Sequence, residues 1–291
     1  MKQDEIVNTV KLFQEFILFK YKSKNTAKNY GSAITSFLFA HKEISRATDI
    51  NANMIIKYLM QFENLSTRRN NHSAIKLFYK YKSKHGESSK FRYIPYPEKE
   101  DKLPIHVNKD EFIQMIQVCN NLKHKTIICL MFDCGIRVSE VINLKLSDID
   151  MSNMILNIRQ SKGRKDRKVK FTSILFNIIQ QYYNEYAPVE YLFNGQFSNK
   201  YSIKSCQEIV KQLAKKAGID KGFTPHKFRH GYAMTLLENG ATLDEIGNQL
   251  GHNSKKTTEI YARMDNRIIQ KIESPLEQIV KSSNKQLLIN H

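Results

Sequence analysis

The chain up to Pro95 contains almost none of the residues that interrupt helices. It has no earlier proline and only two glycines, Gly31 and Gly86. Its apolar residues recur at the three- and four-residue intervals of a helix face, beginning with Val7, Val10, Phe13 and Ile17. This pattern predicts an all-α domain of about four helices, near residues 4–20, 26–41, 51–62 and 66–84.

A change in composition marks the end of this helical part. Residues 86–104 contain three prolines among serines and charged residues, which is typical of a linker. We therefore predict an N-terminal helical domain over residues 1–88 and a linker over residues 89–104.

The following residues predict a second domain, over 105–265, that is mainly α with a small β-sheet. Asn108 with Glu111 three residues later is a capping-box pattern that opens a helix. Residues 154–159 and 167–171 alternate apolar and polar side chains on either side of a glycine-containing turn, which indicates a β-hairpin. Helical spacing returns after the hairpin, so the predicted fold class of the whole chain is α+β.

The chain carries 46 Lys and Arg residues against 28 Asp and Glu residues, a formal net charge of +18. This excess favours a polyanionic partner, and its spread along the chain favours nucleic acid over an anionic membrane. Hydrophobic residues make up 41% of the chain, which is enough for a packed core in each domain and excludes disorder along the whole length.

The cellular compartment is predicted from three features. Asp4 and Glu5 interrupt the apolar run that a signal peptide needs. The longest apolar stretch, residues 127–132, is far shorter than the roughly 20 residues that cross a bilayer. The four cysteines show no CxxC spacing and are interpreted as reduced core residues. A cytoplasmic protein without a membrane partner is expected.

Several short motifs in the second domain combine residues suited to phosphate chemistry. In the sequence TPHKFR, Thr224 is positioned to cap a helix that begins at Pro225. His226 and Arg229 then lie on one face of the first turn, where free backbone N–H groups favour an anion. The alternative for this motif alone is a solvated helix start.

A second motif, GIRVSE, contains Arg137 and Glu140 at a spacing of three residues. A surface ion pair of little energetic value is one interpretation. However, the pair directly follows the apolar stretch at 127–132, so we expect it near a buried helix end, where an unpaired arginine would be costly.

A third motif places Gly251 after an apolar helix, in the position where glycine relieves left-handed strain. His252 follows at once, and Tyr261 lies on the next predicted helix. A phenol has a pKa near 10, so attack by this tyrosine would need cations around its target and a proton acceptor. Because the chain contains 14 tyrosines, a packing role is the alternative.

The predicted hairpin is strongly basic. Residues 159–170 hold seven basic side chains and one acidic one. Such a tip is either solvated or lies along a phosphate backbone, and a lysine there can also donate a proton. The candidates for DNA contacts are Arg164, Lys165 and, in the helix-start motif, Lys227.

A metal site is not predicted. His226 and His230 are four residues apart on one helix, the spacing of a metal-binding pair. The intervening Lys227 and Arg229 would repel a dication, and no third ligand is evident.

Together these motifs resemble the tyrosine site-specific recombinases, the family of phage integrases and Xer-type enzymes. The order Arg, Lys, His-x-x-Arg, Gly-His, Tyr matches throughout the second domain. The spacings agree: 25 residues separate Arg137 from Lys162, 26 separate His226 from His252, and 9 separate His252 from Tyr261. The first domain agrees only in being basic and helical, like the core-binding domain of the family.

The resemblance implies a covalent mechanism without a cofactor. Tyr261 would attack a DNA phosphate to give a 3′-phosphotyrosyl enzyme and a free 5′-hydroxyl. Lys162 would protonate the leaving oxygen, although Lys165 on the same turn is the alternative donor. The energy of the broken bond stays in the phosphotyrosine, so a partner strand can reseal the joint without ATP.

The resemblance also implies how the charge at the phosphate is stabilised. Arg137, Arg229 and His252 would bind the non-bridging oxygens. His226 would accept or relay the tyrosine proton, and Glu140 would orient the site. Losing either arginine is expected to cost several kcal/mol of transition-state stabilisation.

The implied partner is double-stranded DNA with inverted-repeat core sites. Two domains would form a clamp around the duplex, and four protomers on two DNA sites, alone or with a second recombinase, would exchange strands through a Holliday junction. Residues 266–291 would dock on a neighbouring protomer or pack on their own domain. No small-molecule substrate is implied, and a prokaryotic, phage or mobile-element origin is expected.

Two alternatives to a recombinase remain open from the sequence. One is a DNA-binding protein of the same fold that does not cut, and the other is an enzyme similar to type IB topoisomerases. Within the recombinases, integration, excision, resolution and inversion are equally compatible with the motifs. The target sequence and its spacer depend on docking geometry and are not encoded in a readable motif.

Overall fold

A computed structural model describes residues 1–84, 94–98, 105–159, 166–196, 198–219 and 222–251. The chain divides into two compact units, Met1–Asp101 and Lys102–His291. It is mostly helical with one small sheet, which confirms the predicted α+β class. In the described part of the chain, no helix is both long and apolar enough to cross a membrane.

The described residues of the first unit form the four predicted helices, α1 (Gln3–Tyr21), α2 (Lys24–Ala40), α3 (Ala52–Met60) and α4 (Leu65–Lys84). The buried face of α1 consists of Ile6, Val10, Phe13 and Ile17. Val7 was expected on this face but is 57% exposed, because Ile6 takes the inward position one residue earlier. The side chains of Ser23 and Asn51 accept backbone N–H groups at the starts of α2 and α3.

Aromatic rings fill the core of this unit. The rings of Phe13 and Phe78 meet edge to face with their centroids 5.3 Å apart, which joins α1 to α4. Ile94 is also buried, and Arg69 Nη1 donates to the carbonyl oxygen of Pro97 at 3.2 Å. Part of the predicted linker therefore packs on α4.

The described residues of the second unit form seven helices around a three-stranded antiparallel sheet. The strands lie in the order β1-β2-β3, with Ile158 opposite Arg167. A third strand was not predicted, because two residues are too few to show alternation. The elements are α5 (Lys109–Gln117), α6 (Leu122–Cys134), α7 (Val138–Val141), β1 (Ile149–Asp150), β2 (Ile155–Ile158), β3 (Arg167–Lys170), α8 (Ser173–Tyr186), α9 (Ile203–Lys216), α10 (Pro225–Glu238) and α11 (Leu243–Leu250).

Helix α6 is the centre of this unit. It is buried on nearly all sides, including Ile127, Ile128, Leu130 and Met131, and it contacts α7, α8, α9 and α10. The four cysteines are free buried thiols, as predicted. A helix packed on so many faces holds the elements that meet at its C-terminal end in fixed positions.

Gly231 allows α10 to approach the segment before α5. A Cβ atom at this position would lie 2.2 Å from the carbonyl oxygen of Val107, and the Val107 N–H donates to the carbonyl oxygen of Lys227 at 3.2 Å. The contact would be between the backbone of α10 and the backbone at Val107, and neither segment can move aside easily. We expect Gly231→Ala to lower the free energy of unfolding by about 1–3 kcal/mol, measured by urea unfolding, despite the higher helix propensity of alanine.

Gly31→Ala is the matched control, since Gly31 also lies within a helix. A Cβ atom there would meet the Gln14 side chain, whose Nε2 lies 2.1 Å and whose Cγ lies 2.8 Å away, so this flexible side chain must turn aside and release its 3.3 Å hydrogen bond to the carbonyl oxygen of Ala27. We expect a loss of less than about 1 kcal/mol for this variant, smaller than that of Gly231→Ala. Equal losses in the two proteins would contradict the close-approach role of Gly231.

Candidate active site

A tight turn after α6 positions Arg137. Gly135 follows the last residue of α6 with a φ of +58°, a left-handed conformation that glycine adopts without strain. The Tyr232 ring of α10 lies against this glycine, so that an added Cβ would be 2.2 Å from Tyr232 Cδ1. The chain then passes directly into Arg137, at the N-terminus of α7.

Glu140 is a buried carboxylate shared by two arginines. Its Oε1 accepts from Arg137 Nη1 at 2.9 Å and from Arg167 Nη1 at 3.1 Å. Its Oε2 accepts from the backbone N–H of Arg137 and from Arg167 Nη2, both at 2.8 Å. The side chains of Glu140 and Arg167 are each 8% exposed. The expected pair of Arg137 and Glu140 is thus confirmed, with Glu140 buried and the Arg137 side chain 20% exposed, and it includes a third partner.

The two arginines keep Glu140 ionised. Burial alone would raise the pKa of this carboxyl group. The hydrogen bonds and charge of Arg167 oppose that effect most strongly, followed by the backbone N–H and charge of Arg137, and together they lower the pKa of Glu140 to about 2. A carboxylate with two guanidinium partners therefore remains charged at neutral pH.

Arg229 is almost completely buried, with 1% of its surface exposed. Its Nη1 donates to the carbonyl oxygen of Gly135 at 2.7 Å, and its Nη2 donates to the carbonyl oxygen of Leu250. Helix α10 begins at Pro225 as predicted, but the Thr224 side chain makes no capping hydrogen bond. The helix start thus depends on proline and on tertiary contacts.

Three arginines converge on the C-terminal end of α11. Three consecutive carbonyl oxygens there each accept one hydrogen bond. Arg167 Nε donates to Gln249 at 2.8 Å, Arg229 Nη2 to Leu250, and Arg137 Nη2 to Gly251 at 3.3 Å. Helix ends leave such carbonyls without intrahelical partners and carry partial negative charge. Gly251 adopts a φ of +62° at this end, which confirms its predicted capping position. The arrangement fixes α11 to α7, β3 and α10.

His226 is an exposed residue in the first turn of α10. Partial burial, then the charges of Arg229 and Arg137, lower its pKa. Its ring meets the ring of His230 nearly at right angles, with centroids 4.5 Å apart, and burial lowers the pKa of His230 to about 4. Both rings are therefore mainly neutral at pH 7, a state in which His226 can accept a proton.

In the described ranges, no group of three or more His, Cys, Asp or Glu side chains could hold a metal ion.

The structure brings together four of the predicted site residues, Arg137, Glu140, His226 and Arg229. Lys227 Nζ donates to the carbonyl oxygen of Gly222 at 2.9 Å, and its contact with DNA stays a prediction. The other predicted residues lie outside the described residues: Lys162, Arg164 and Lys165 within 160–165, and His252 and Tyr261 beyond 251.

Arg167 shares Glu140 with Arg137 but was not among the predicted site residues, because it was counted among the basic residues of the hairpin tip. Along β3 and the next residue, Arg167, Val169 and Phe171 face inward while Lys168 and Lys170 are exposed. The sequence already shows this alternation, because Arg167 stands at the same two-residue spacing as the apolar Val169 and Phe171. A charged residue on an inward face needs a buried partner.

Comparison with known proteins identifies close relatives of the chain. Residues 106–267 match the model of a family described as the phage integrase family. A tyrosine recombinase XerA of Pyrococcus horikoshii is 31% identical over 275 residues, which are 90% of this chain and 92% of that protein. A Sinorhizobium fredii protein, whose name includes the words integrase and recombinase, is 35% identical over 188 residues, and the chain spans only 60% of its length.

The fold also has a counterpart among solved structures. The crystal structure of the XerH site-specific recombinase bound to palindromic difH substrate, in a post-cleavage complex, matches with a TM-score of 0.73. The match covers 86% of this chain and 80% of that chain, at 20% identity. At that identity the likeness establishes the fold alone.

Proposed function

This chain belongs to the phage integrase family of tyrosine recombinases, and we propose that it breaks and rejoins DNA strands with Tyr261 as its nucleophile. The Tyr261 oxygen attacks the scissile phosphorus, the bond from phosphorus to the 5′-oxygen breaks, and a 3′-phosphotyrosyl enzyme and a free 5′-hydroxyl result. The reverse attack by a 5′-hydroxyl of a partner strand seals the new joint. Each step exchanges one phosphodiester bond for another, so no nucleotide cofactor is consumed.

One observation carries this proposal: a preformed cluster of three arginines, two of which hold a buried carboxylate and one of which binds backbone carbonyls. Arg137, Arg167 and Arg229 contribute three positive charges and Glu140 one negative charge, a net charge of +2 at neutral pH. Donors fixed before the substrate arrives stabilise the charge that develops on a phosphate in the transition state without reorganising. Of the two predicted arginines, Arg137 has the better access to a phosphate, because 20% of its side chain is exposed.

The remaining roles follow the family pattern. His226 accepts or relays the proton of Tyr261, which the lowered pKa of this imidazole supports. His252 binds a non-bridging oxygen, and Lys162 protonates the 5′-oxygen as it leaves. Glu140 acts on the phosphate only through Arg137.

We further propose the assembly on which the enzyme acts. Residues 1–88 form the core-binding domain and 105–265 the catalytic domain, joined by the linker 89–104 and clamped on double-stranded DNA. Four protomers bind two DNA sites, each an inverted repeat, and residues 266–291 dock on a neighbouring protomer. The palindromic substrate of the XerH complex supports the inverted repeat, and the net charge of +18 supports DNA as the partner. The enzyme acts in the cytoplasm, on chromosomal or mobile-element DNA.

Recovery of covalent protein–DNA adducts from source-organism DNA tests the function and identifies the substrate together. The full-length protein is incubated with fragmented genomic DNA, adducts that resist detergent are collected, and the trapped ends are sequenced. We expect one or two short inverted-repeat sites, linked to the protein through their 3′-phosphates.

Two other results would overturn the proposal. Adducts scattered without site preference, with relaxation of supercoiled DNA, would identify a topoisomerase-like enzyme. Strong DNA binding without any adduct would identify a DNA-binding protein that does not cut.

A further inference from the structure

We propose that Arg167 is a positioning residue of the active site, which acts through Glu140 to orient Arg137 and through the Gln249 carbonyl to hold the end of α11. This inference rests on the proposed function. It adds a residue from the hairpin to the arginines that the sequence motifs indicate, and it assigns that residue an inward role instead of contact with DNA.

The hydrogen bonds of Arg167 carry the argument. All three nitrogens of its guanidinium group donate: Nη1 and Nη2 to the two oxygens of Glu140 at 3.1 and 2.8 Å, and Nε to Gln249 at 2.8 Å. A planar fork that binds both oxygens of a carboxylate fixes its rotation as well as its position. Glu140 in turn receives both the side chain and the backbone N–H of Arg137. The orientation of Arg137 is thus set by a chain of hydrogen bonds that begins at β3.

Charge gives Arg167 a second effect on the site. Glu140 with Arg137 alone would form a neutral pair, and Arg137 would then be held mainly by Glu140. Because Arg167 supplies a second positive charge and binds both oxygens of Glu140, the carboxylate does not depend on Arg137 alone. Arg137 can then donate hydrogen bonds to another anion. A buried carboxylate that loses one of two cationic partners is strongly destabilised, so the site would rearrange.

The test uses the full-length protein and the DNA site recovered by adduct trapping. Arg167→Gln removes the charge and the fork, and Arg167→Lys keeps the charge but offers only one nitrogen. Two quantities are measured separately: the dissociation constant for DNA, and the rate of adduct formation at saturating DNA. We expect Arg167→Gln to slow adduct formation about 100-fold with little change in DNA affinity, and Arg167→Lys to recover part of this loss.

Lys145→Gln is the matched control. Lys145 Nζ also lies 2.8 Å from a carboxylate oxygen, that of Glu190, but both side chains are about half exposed. Removing this exposed cation is expected to change neither the rate nor the unfolding temperature measurably. An equal loss of rate in Lys145→Gln and Arg167→Gln would overturn the inference, because it would reflect a general loss of charge.

A pH profile distinguishes orientation from a merely structural role. Among the described residues, the charged side chains that contact Glu140 are Arg137 and Arg167, and the contacts of α11 with these two arginines are through its backbone carbonyls. In the native protein the pKa of Glu140 is about 2, so adduct formation does not depend on its protonation near neutral pH. Without Arg167, burial raises this pKa. We then expect the rate of Arg167→Gln, divided by the native rate at the same pH, to fall with decreasing pH.

The double variant Glu140→Gln/Arg167→Gln keeps the test decisive if the single variant unfolds, because it removes the buried carboxylate together with its second cation. We expect it to be no slower than Glu140→Gln alone and to lack the acid-dependent fall. A double variant much slower than Glu140→Gln, or an Arg167→Gln protein with the native rate and pH profile, would overturn the inference. Failure of the proposed function itself would differ, because the native protein would then form no adduct.

Discussion

Tyr261→Phe is expected to abolish covalent adduct formation while leaving DNA binding intact. The substitution removes only the phenolic oxygen, which is the atom that forms the bond to phosphorus. Covalent enzymes that lose their nucleophile are slowed by about a millionfold, so no adduct should be detectable. The measurement is the yield of detergent-resistant adduct at saturating DNA, with the dissociation constant for the same DNA determined in parallel. In the native protein, the peptide linked to DNA should contain Tyr261.

Tyr183→Phe is the control for this prediction. It removes the same oxygen from a tyrosine of α8 that is 50% exposed and distant in sequence from every predicted site residue. We expect its adduct yield to equal that of the native protein. Adducts formed by Tyr261→Phe at the native rate would assign the nucleophile to another residue.

Arg229→Gln is expected to lose both stability and activity. The shorter, neutral amide does not reach the carbonyl oxygens of Gly135 and Leu250 together, and a buried acceptor that loses its donor destabilises the fold by about 1–3 kcal/mol. We therefore expect an unfolding temperature lower by about 10 °C. The loss of one fixed positive charge should also slow adduct formation by about 100- to 1,000-fold, measured at a temperature where the variant is folded.

The exposed Arg46 is the control for stability. Its side chain is 77% exposed and pairs with Asp49 at 3.1 Å, so we expect Arg46→Gln to change the unfolding temperature little. An Arg229→Gln protein with the native unfolding temperature would contradict the hydrogen bonds to Gly135 and Leu250. One with the native rate of adduct formation would remove Arg229 from the active site.

Local patterns in the sequence predicted the secondary structure well. Helix-forming spacing depends on residues three or four apart, so the four helices of the first unit and the inward residues Val10, Phe13 and Ile17 followed from the sequence. The capping box of Asn108 and Glu111 is confirmed for the same reason. The same reasoning was wrong for Val7, because the spacing of apolar residues locates the buried face of a helix only to within about one residue. It did not find β1, because a strand of two residues shows no alternation.

The sequence by itself determined the fold class, the helices of the first unit to within about two residues at each end, and the family, because these depend on short-range spacing and on the order of a few chemical groups. It also determined that Arg137 and Glu140 form a pair, since they are three residues apart. Only the tertiary structure decided what surrounds that pair. Arg167 is 27 residues from Glu140 and 82 from Gln249, and Arg137 is 114 from Gly251. Contacts over such separations are set by the packing of α6 against its neighbours, which no local pattern encodes.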